Sequence, residues 1–409
     1  MKLQNILIQI TSPFTSIHSR DFWLLWTATL ATSLGFWMEQ IVMSWFILQL
    51  SDSPFILGLA HALRMAPFFI FGILAGSIAD KLDRRLLIRL VVGIKLIVSV
   101  GLGTLAALDL ASTNAVILIG VIYGTANAFL LTIRPAYIHD IVGPTQVING
   151  ISVNQIAWRV MGLPGALFGG AAILWIGMEG AFYLMSISYA LALFFLMYLK
   201  TTSHSDSSNR TTVWGNFVEG LTLIRTNSKV LHLLLIVMTA EVLAFSHVSV
   251  LPIFADDVLN VGSGGFGILS AARASGSILG VLLLAIAGEG ISKGKTLLTS
   301  VVIYSLALIC FSFSTMFLLS LFIFLIVGIA AAIFDALQQV LLQLNVDDKQ
   351  RGMAMGIWVL GVGVGPLGHL EVGILAEYLG APSALAINGS LLLVFFLFAL
   401  FSMPKIKLL

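Results

Sequence analysis

Charge is scarce in this sequence. Its 409 residues carry 21 Lys and Arg against 19 Asp and Glu, so charged residues make up 10%. A water-soluble domain carries about 25%, because its surface must be hydrated. A chain of this size with so few charges cannot cover itself in water. Cysteine is nearly absent too. Cys310 stands alone, which excludes a disulfide framework. A net charge of +2 offers no basic face for phosphates, so nucleic acid is excluded as a partner. The chain also lacks a phosphate loop of the Gly-x4-Gly-Lys-Ser/Thr kind, and its histidines do not cluster at metal-ligand spacing. No cofactor, metal or enzymatic activity is expected.

Apolar residues are what the chain has in abundance, at 59% with 27 Phe, and this excludes disorder. A membrane-crossing helix needs about 20 largely apolar residues. Runs of that kind lie near 22–48, 54–79, 86–108, 114–135, 152–175 and 181–199. Six more follow near 231–254, 263–287, 296–313, 317–341, 353–377 and 383–402, which makes twelve. β-barrel strands are about ten residues long and alternate in polarity; these runs are longer and apolar all round. Residues 1–20 lack the apolar core of a cleavable leader.

Orientation follows from the basic residues. With the N-terminus inside, fifteen of the 21 Lys and Arg fall in cytoplasmic segments. The outside turns hold acids such as Asp52, Asp109, Glu179, Asp256, Asp257 and Glu377, and no Lys or Arg. Both termini are therefore expected in the cytoplasm.

The polar stretch 200–229 divides the runs six plus six, and Trp214 opens a possible short interfacial helix within it. The expected organisation is an N-terminal bundle over 1–200, a cytoplasmic loop over 201–229 and a C-terminal bundle over 230–409. The halves echo one another. Gly58-Leu-Ala-His-Ala-Leu-Arg64 matches Gly267-Ile-Leu-Ser-Ala-Ala-Arg273, and sixteen residues beyond each arginine sits an acid, Asp80 or Glu289. Asn149-Gly150 pairs with Arg351-Gly352, each followed fourteen residues past the glycine by a proline, Pro164 or Pro366. Glu39 in the first run and Glu241 in the seventh fall at similar depth. The expected fold is all-α and polytopic: twelve transmembrane helices in two pseudo-symmetric six-helix bundles, one plan used by secondary transporters.

Between the second and third runs the sequence reads Gly76-Ser-Ile-Ala-Asp80-Lys81-Leu82-Asp83-Arg84-Arg85. This resembles the signature loop of the major facilitator superfamily: glycine, three residues, aspartate, a basic residue, any residue, glycine, two basic residues. Gly76, Asp80, Lys81, Arg84 and Arg85 match, while Asp83 stands where a second glycine is usual. Ser33-Leu-Gly35, Trp45, Leu50-Ser-Asp-Ser-Pro54 and Gly58 resemble the drug and siderophore exporter branch, which includes the enterobactin exporter and macrolide-efflux proteins. Arg134-Pro135-Ala136, Asp140, Asn149, Arg159, Gly162-x-Pro164 and the Arg351-Gly352…Gly365-Pro366-Leu367-Gly368 run fit the same branch. The resemblance implies that the loop latches the cytoplasmic side when the cavity faces outward. The alternative is a plain inside-positive anchor. Glu289 and Lys293 remain at the matching place in the second half, where Ala285 and Gly290 replace the glycine and the basic residue.

Ionisable groups at membrane depth are costly and face a cavity or a partner. The acids at depth are Glu39, Glu241 and Asp335. Low dielectric disfavours a carboxylate's charged form, so such groups can exchange protons near neutral pH and couple them to transport. The alternative is a static pair with a buried counter-charge, for which Arg64, Arg159 and Arg273 are the candidates. Lys95, and Arg159 with it, lie near span ends and are expected to snorkel. His369 and Glu371 beside Pro366 suit a gate or packing. Gly162, Pro164, Gly169, Gly365 and Pro366 allow close helix crossing and bending. Phe36, Trp37 and Trp358 are aromatic candidates for stacking on a bulky organic ligand.

The function expected from these features is a monomeric transporter in the inner (plasma) membrane. Its partners are the lipid bilayer, protons and a small organic substrate, and proton-driven efflux of an amphipathic drug or siderophore leads. An importer or lysolipid flippase of the same fold is one alternative, and a non-transporting membrane scaffold or sensor is another.

Overall fold

The computed structural model describes residues 19–79, 82–202, 220, 222–347 and 350–402. Every apolar run becomes helix. The first half forms α1 (Arg20–Ser51), α2 (Pro54–Ala79), α3 (Arg84–Ala107), α4 (Thr113–Val142), α5 (Val147–Val160) and α6 (Gly162–Met197). After the central polar stretch come α7 (Ser228–Ala240), α8 (His247–Ile253), α9 (Gly262–Ala287), α10 (Lys293–Ser312) and α11 (Phe317–Leu344). The chain closes with α12 (Arg351–Val362), α13 (Gly365–Leu379) and α14 (Ala381–Ser402). Two π-helical turns, Glu241–Phe245 and Phe254–Val258, flank α8.

Nine stretches among the described residues are long and apolar enough to cross a bilayer. One of them, Val147–Met197, is interrupted at Gly177, where a φ of 76° leaves the helical region. Only glycine enters that region freely, so this stretch comprises two of the apolar runs seen in the sequence. Asp52 and Asn260 also take positive φ, at 48° and 52°, each in the turn that follows the first long helical stretch of its half. Large apolar side chains such as Trp175, Ile286 and Tyr378 are exposed, as lipid contact requires. The fold is all-α and polytopic. The interfacial helix expected from Trp214, the loop residues Asp80 and Lys81, and the side chains of Gly76 and Glu289 lie outside the described residues.

The prolines of the repeat sit where helices restart. The chain breaks at Met161 and resumes at Gly162, two residues before Pro164; it breaks again at Gly363 and resumes at Gly365, directly before Pro366. Proline lacks an N–H and clashes with the preceding turn, so it is best accommodated at a helix start, although Pro67, Pro135 and Pro252 lie inside helices here.

Contacts group the chain into two compact units: Met1–Val42 with Ile70–Asn209, and Met43–Phe69 with Arg210–Leu409. This grouping follows packing rather than chain order, since α1 and α2 each contribute to both units. In the first unit, α6 crosses α1 at glycines. A Cβ on Gly165 would meet Trp37 Cβ at 2.5 Å, and one on Gly169 would meet Ile41 Cβ at 3.0 Å. α3 is tied to α6 by Ser99, which donates to the Phe182 carbonyl (3.0 Å) and receives the Ser186 hydroxyl (2.8 Å).

In the second unit, α9 and α11 interlock more tightly still. A Cβ on Gly276 would strike the Leu325 carbonyl, and one on Gly328 the Arg273 carbonyl. Lipid supplies no hydrophobic drive between helices, so backbone approach through small residues carries the packing. The consequence is measurable. Gly328→Ala should lower the melting temperature in detergent through overpacking of about 1–3 kcal/mol. Gly352→Ala, where a Cβ meets nothing within 4 Å, should leave it unchanged or slightly raised. Equal melting of the two variants would contradict the close crossing.

Candidate functional site

Each unit holds a buried charged centre. In the first unit it is built on Glu39 of α1, which is 0% exposed, and Lys95 of α3, 1% exposed. Lys95 Nζ lies 3.5 Å from Glu39 Oε2 and donates to Asn127 Oδ1 of α4 at 2.9 Å. The Tyr189 hydroxyl of α6 donates to the same carboxylate oxygen at 3.1 Å. Three aromatic rings face the ammonium, Tyr189, Tyr123 and Phe36, with centroids at 4.6, 5.6 and 5.7 Å. Gly35 makes this possible, since a Cβ there would press on the Tyr189 ring at 2.7 Å. Four helices thus meet at one ion pair. Phe36, Trp37 and Trp158 form an adjoining aromatic cluster, and the Trp37 indole donates to the Trp158 carbonyl at 3.1 Å.

The expectation that Lys95 snorkels fails. It stands ten residues beyond Arg85, roughly 15 Å along the helix axis, too deep for its stem to reach water, and its ammonium is held inside. The expected counter-charges for the acids were arginines. Glu39 instead uses this lysine. Arg134 is likewise buried, donating to Thr32 Oγ1 at 3.0 Å.

The second unit gathers the other two acids. Glu241 opens the π-helical turn and is buried, with Oε2 facing Gly365 of α13. It is close enough to Asp335 of α11 for the two charges to interact. Asp335 accepts from Gln338 Nε2 at 3.1 Å, while buried Gln338 Oε1 has no hydrogen-bond partner. Arg273 of α9 hydrogen-bonds Tyr304 of α10. The Tyr304 hydroxyl lies 3.3 Å from His247 Nδ1, and that nitrogen is 2.7 Å from the Ala244 carbonyl. A carbonyl only accepts, so neutral His247 carries its proton on Nδ1 and presents Nε2 as a bare acceptor. Nε2 is buried without a partner, as is Arg273 Nε. The second unit thus holds two interacting carboxylates together with buried polar atoms that have no hydrogen-bond partner among the described residues.

The other sequence-derived residues fall around these centres. Arg64 is buried, whereas Arg159 and Arg273 are half-buried at the end of α5 and within α9. Half-buried Trp358 lies on α12, its indole nitrogen without a partner. Glu371 accepts from Asn388 at 2.9 Å. At the turn before α3, Asp83 caps the helix by accepting from the Arg85 N–H at 2.9 Å, which accounts for an acid in place of the usual glycine. Arg84 grips Asp140 with both carboxylate oxygens at 2.9 Å. Arg85 and Arg89 donate to carbonyls at the end of α6 and just beyond, Leu196, Met197, Leu199 and Lys200, where a helix end carries partial negative charge. Lys293 begins α10 and is half-buried.

Sequence reasoning missed Lys95, Asn127 and Tyr189 as one site, and also His61 of α2. Depth within the run was the available signal for Lys95. Nothing along the chain links residues 39, 95, 127 and 189.

The Glu39–Lys95 pair makes a direct prediction. Glu39→Gln or Lys95→Met alone leaves an uncompensated buried charge, destabilising by about 3–5 kcal/mol. The double variant Glu39→Gln/Lys95→Met should recover most of that loss, read as melting temperature in detergent. A double variant no more stable than either single one would show that the two charges are not coupled.

Comparison with known proteins places the chain. The model of the transmembrane secretion effector family matches residues 11–408. The staphyloferrin A transporter of Staphylococcus aureus (strain NCTC 8325 / PS 47) is 24% identical over 362 residues, covering 87% of this chain and 89% of the relative. A solved bacterial homologue of the human lysosomal transporter Spinster, inward-facing and unoccupied, matches with a TM-score of 0.71 at 19% identity, covering 95% and 96% of the two chains. The nucleoside transporter NupG matches with a TM-score of 0.75 at 16% identity, covering 94% and 99%. At such identities these structures show a shared fold. The family match shows more: this chain belongs to the transmembrane secretion effector family, and it is a major facilitator transporter rather than an enzyme.

Proposed function

We propose that this protein carries its solute by alternating access, coupled to protons exchanged at Glu241 and Asp335. The observation that carries the reading is the pairing of these carboxylates at a π-helical turn beside acceptors that lack partners. π-helical turns are uncommon and concentrate at functional sites. Glu39 takes the static role, because Lys95 already neutralises it.

The same proposal includes twelve crossings in two repeat-related halves, 1–200 and 230–409, acting as a monomer in a bacterial plasma membrane with both termini inside. The helix restarts at Pro164 and Pro366 and the positive-φ residues Asp52 and Asn260 support the repeat. The cytoplasmic latch of Gly76, Asp80, Lys81, Arg84 and Arg85, with Glu289 and Lys293 in the second half, belongs to it as well.

Direction is where the comparisons alter the expectation. A carrier with one proton site runs either way according to the gradients. The relatives' names specify a siderophore, a lysosomal transporter and a nucleoside, and no direction. They support carriage of an organic solute, inward movement included, more than export of the enterobactin or macrolide kind.

Purified protein in liposomes, with a pH-sensitive dye inside, tests the reading against iron-free staphyloferrin A, a nucleoside and a dipeptide. One solute should drive proton movement in wild type. Glu241→Gln and Asp335→Asn should abolish that coupling while solute exchange at equal concentration persists. The sign of the proton movement gives symport or antiport. Unaltered coupling in both variants would refute the carboxylate site.

A further inference from the structure

His61 and His369 form a second polar centre, within the second unit and apart from the carboxylates. His61 lies on α2 and His369 on α13, and both are buried. Their rings stack with centroids 5.4 Å apart and planes 27° from parallel. Ser44 Oγ of α1 lies 3.0 Å from His61 Nε2, and Ser249 Oγ of α8 lies 2.7 Å from His369 Nδ1. Met65 Sδ of α2 lies 3.1 Å from His369 Nε2. A thioether can only accept. His369 therefore carries its proton on Nε2, and Nδ1 accepts the Ser249 hydroxyl. Both ring nitrogens of His369 are thus satisfied with a neutral imidazole.

The helices that carry the pair touch nearby through glycine. A Cβ on Gly58 would strike the His369 carbonyl, and one on Gly373 would lie 3.0 Å from the Pro54 carbonyl. At the start of α2, Glu377 of α13 accepts from Ser53 Oγ at 2.8 Å and from the Phe55 N–H at 3.0 Å. The α2–α13 contact is thus a seam of three parts: a carboxylate at one end, a glycine crossing and a histidine stack.

We propose that the His61–His369 stack is a proton-binding site that locks α2 to α13 while neutral and releases them when one ring is charged. A positive ring would face a second imidazole across the stack and Arg64 on α2, with His247 of α8 also in electrostatic reach. The acids nearest along α13 are otherwise engaged. Glu377 binds the start of α2, Glu371 accepts from Asn388, and Glu241 faces Gly365 at the far end. A histidine released to water takes up its proton between pH 5 and 8, so a fall in pH through that range draws the seam toward its released state. The lock rests on the alternating-access reading for its use, but its pH response stands without any solute.

The test uses full-length protein in lipid nanodiscs, carrying Cys310→Ser with spin labels at Phe55→Cys and Tyr378→Cys, both exposed positions. Distances are measured by pulsed electron resonance from pH 8 to pH 5. The long-distance population should grow as pH falls, by up to about tenfold per pH unit for one proton taken up. His61→Phe and His369→Phe each keep a ring in the stack without a titrating group, and each should hold the short distance at every pH. A wild-type distance that does not change with pH overturns the lock, as does a response unchanged in either variant. Because no solute is present, failure here leaves proton-coupled flux through Glu241 and Asp335 standing, and failure of that flux leaves the lock standing.

Discussion

Hydrocarbon offers no water to a buried polar group, and the arrangement of this protein follows from that constraint. Each charge drawn inside must find its partner inside. In the first unit the answer is an ion pair with a complete surround. Lys95 satisfies Glu39, Asn127 holds Lys95, Tyr189 donates to Glu39, and three rings line the ammonium. In the second unit the polar groups are less completely matched. Gln338 Oε1, His247 Nε2 and Arg273 Nε stay without hydrogen-bond partners, the first of them on a side chain bound to Asp335.

Packing obeys the same constraint from the apolar side. Helices in lipid are not driven together by water, so contact area and backbone approach decide where they cross. Gly276 with Gly328, and Gly58 with Gly373, let carbonyls come to where a methyl group would otherwise stand. These crossings set the positions of Arg273 and His369, which lie on the same helices within four residues of such a glycine. The small residues therefore place the polar ones.

Much of this was legible in the chain. The scarcity of charge placed it in a membrane, the long apolar runs marked where helices form, and Gly76 to Arg85 pointed to the superfamily. Pro164 and Pro366 read as bends within continuous runs, whereas the helices restart at Gly162 and Gly365. Even the acids at depth, Glu39, Glu241 and Asp335, could be picked out by their solitude in apolar sequence. Their partners could not. Lys95 lies 56 positions from Glu39 and Tyr189 a further 94, and no local pattern binds them. The basic residues of the cytoplasmic turn read as anchors or a latch, yet Arg85 and Arg89 cap the end of α6 more than 100 residues away.

The sequence by itself determined the solvent, the helices and the family, because hydropathy and helix breaking are properties of neighbours along the chain. Only the tertiary structure decided which charges neutralise each other. The neighbours of a buried carboxylate come from other helices, and no local pattern along the chain names them. For Glu39 the third helix brings Lys95 to 3.5 Å. For Glu241 the eleventh brings Asp335, a second acid. That difference separates a structural pair from a candidate proton site, and it arises from packing across the bundle.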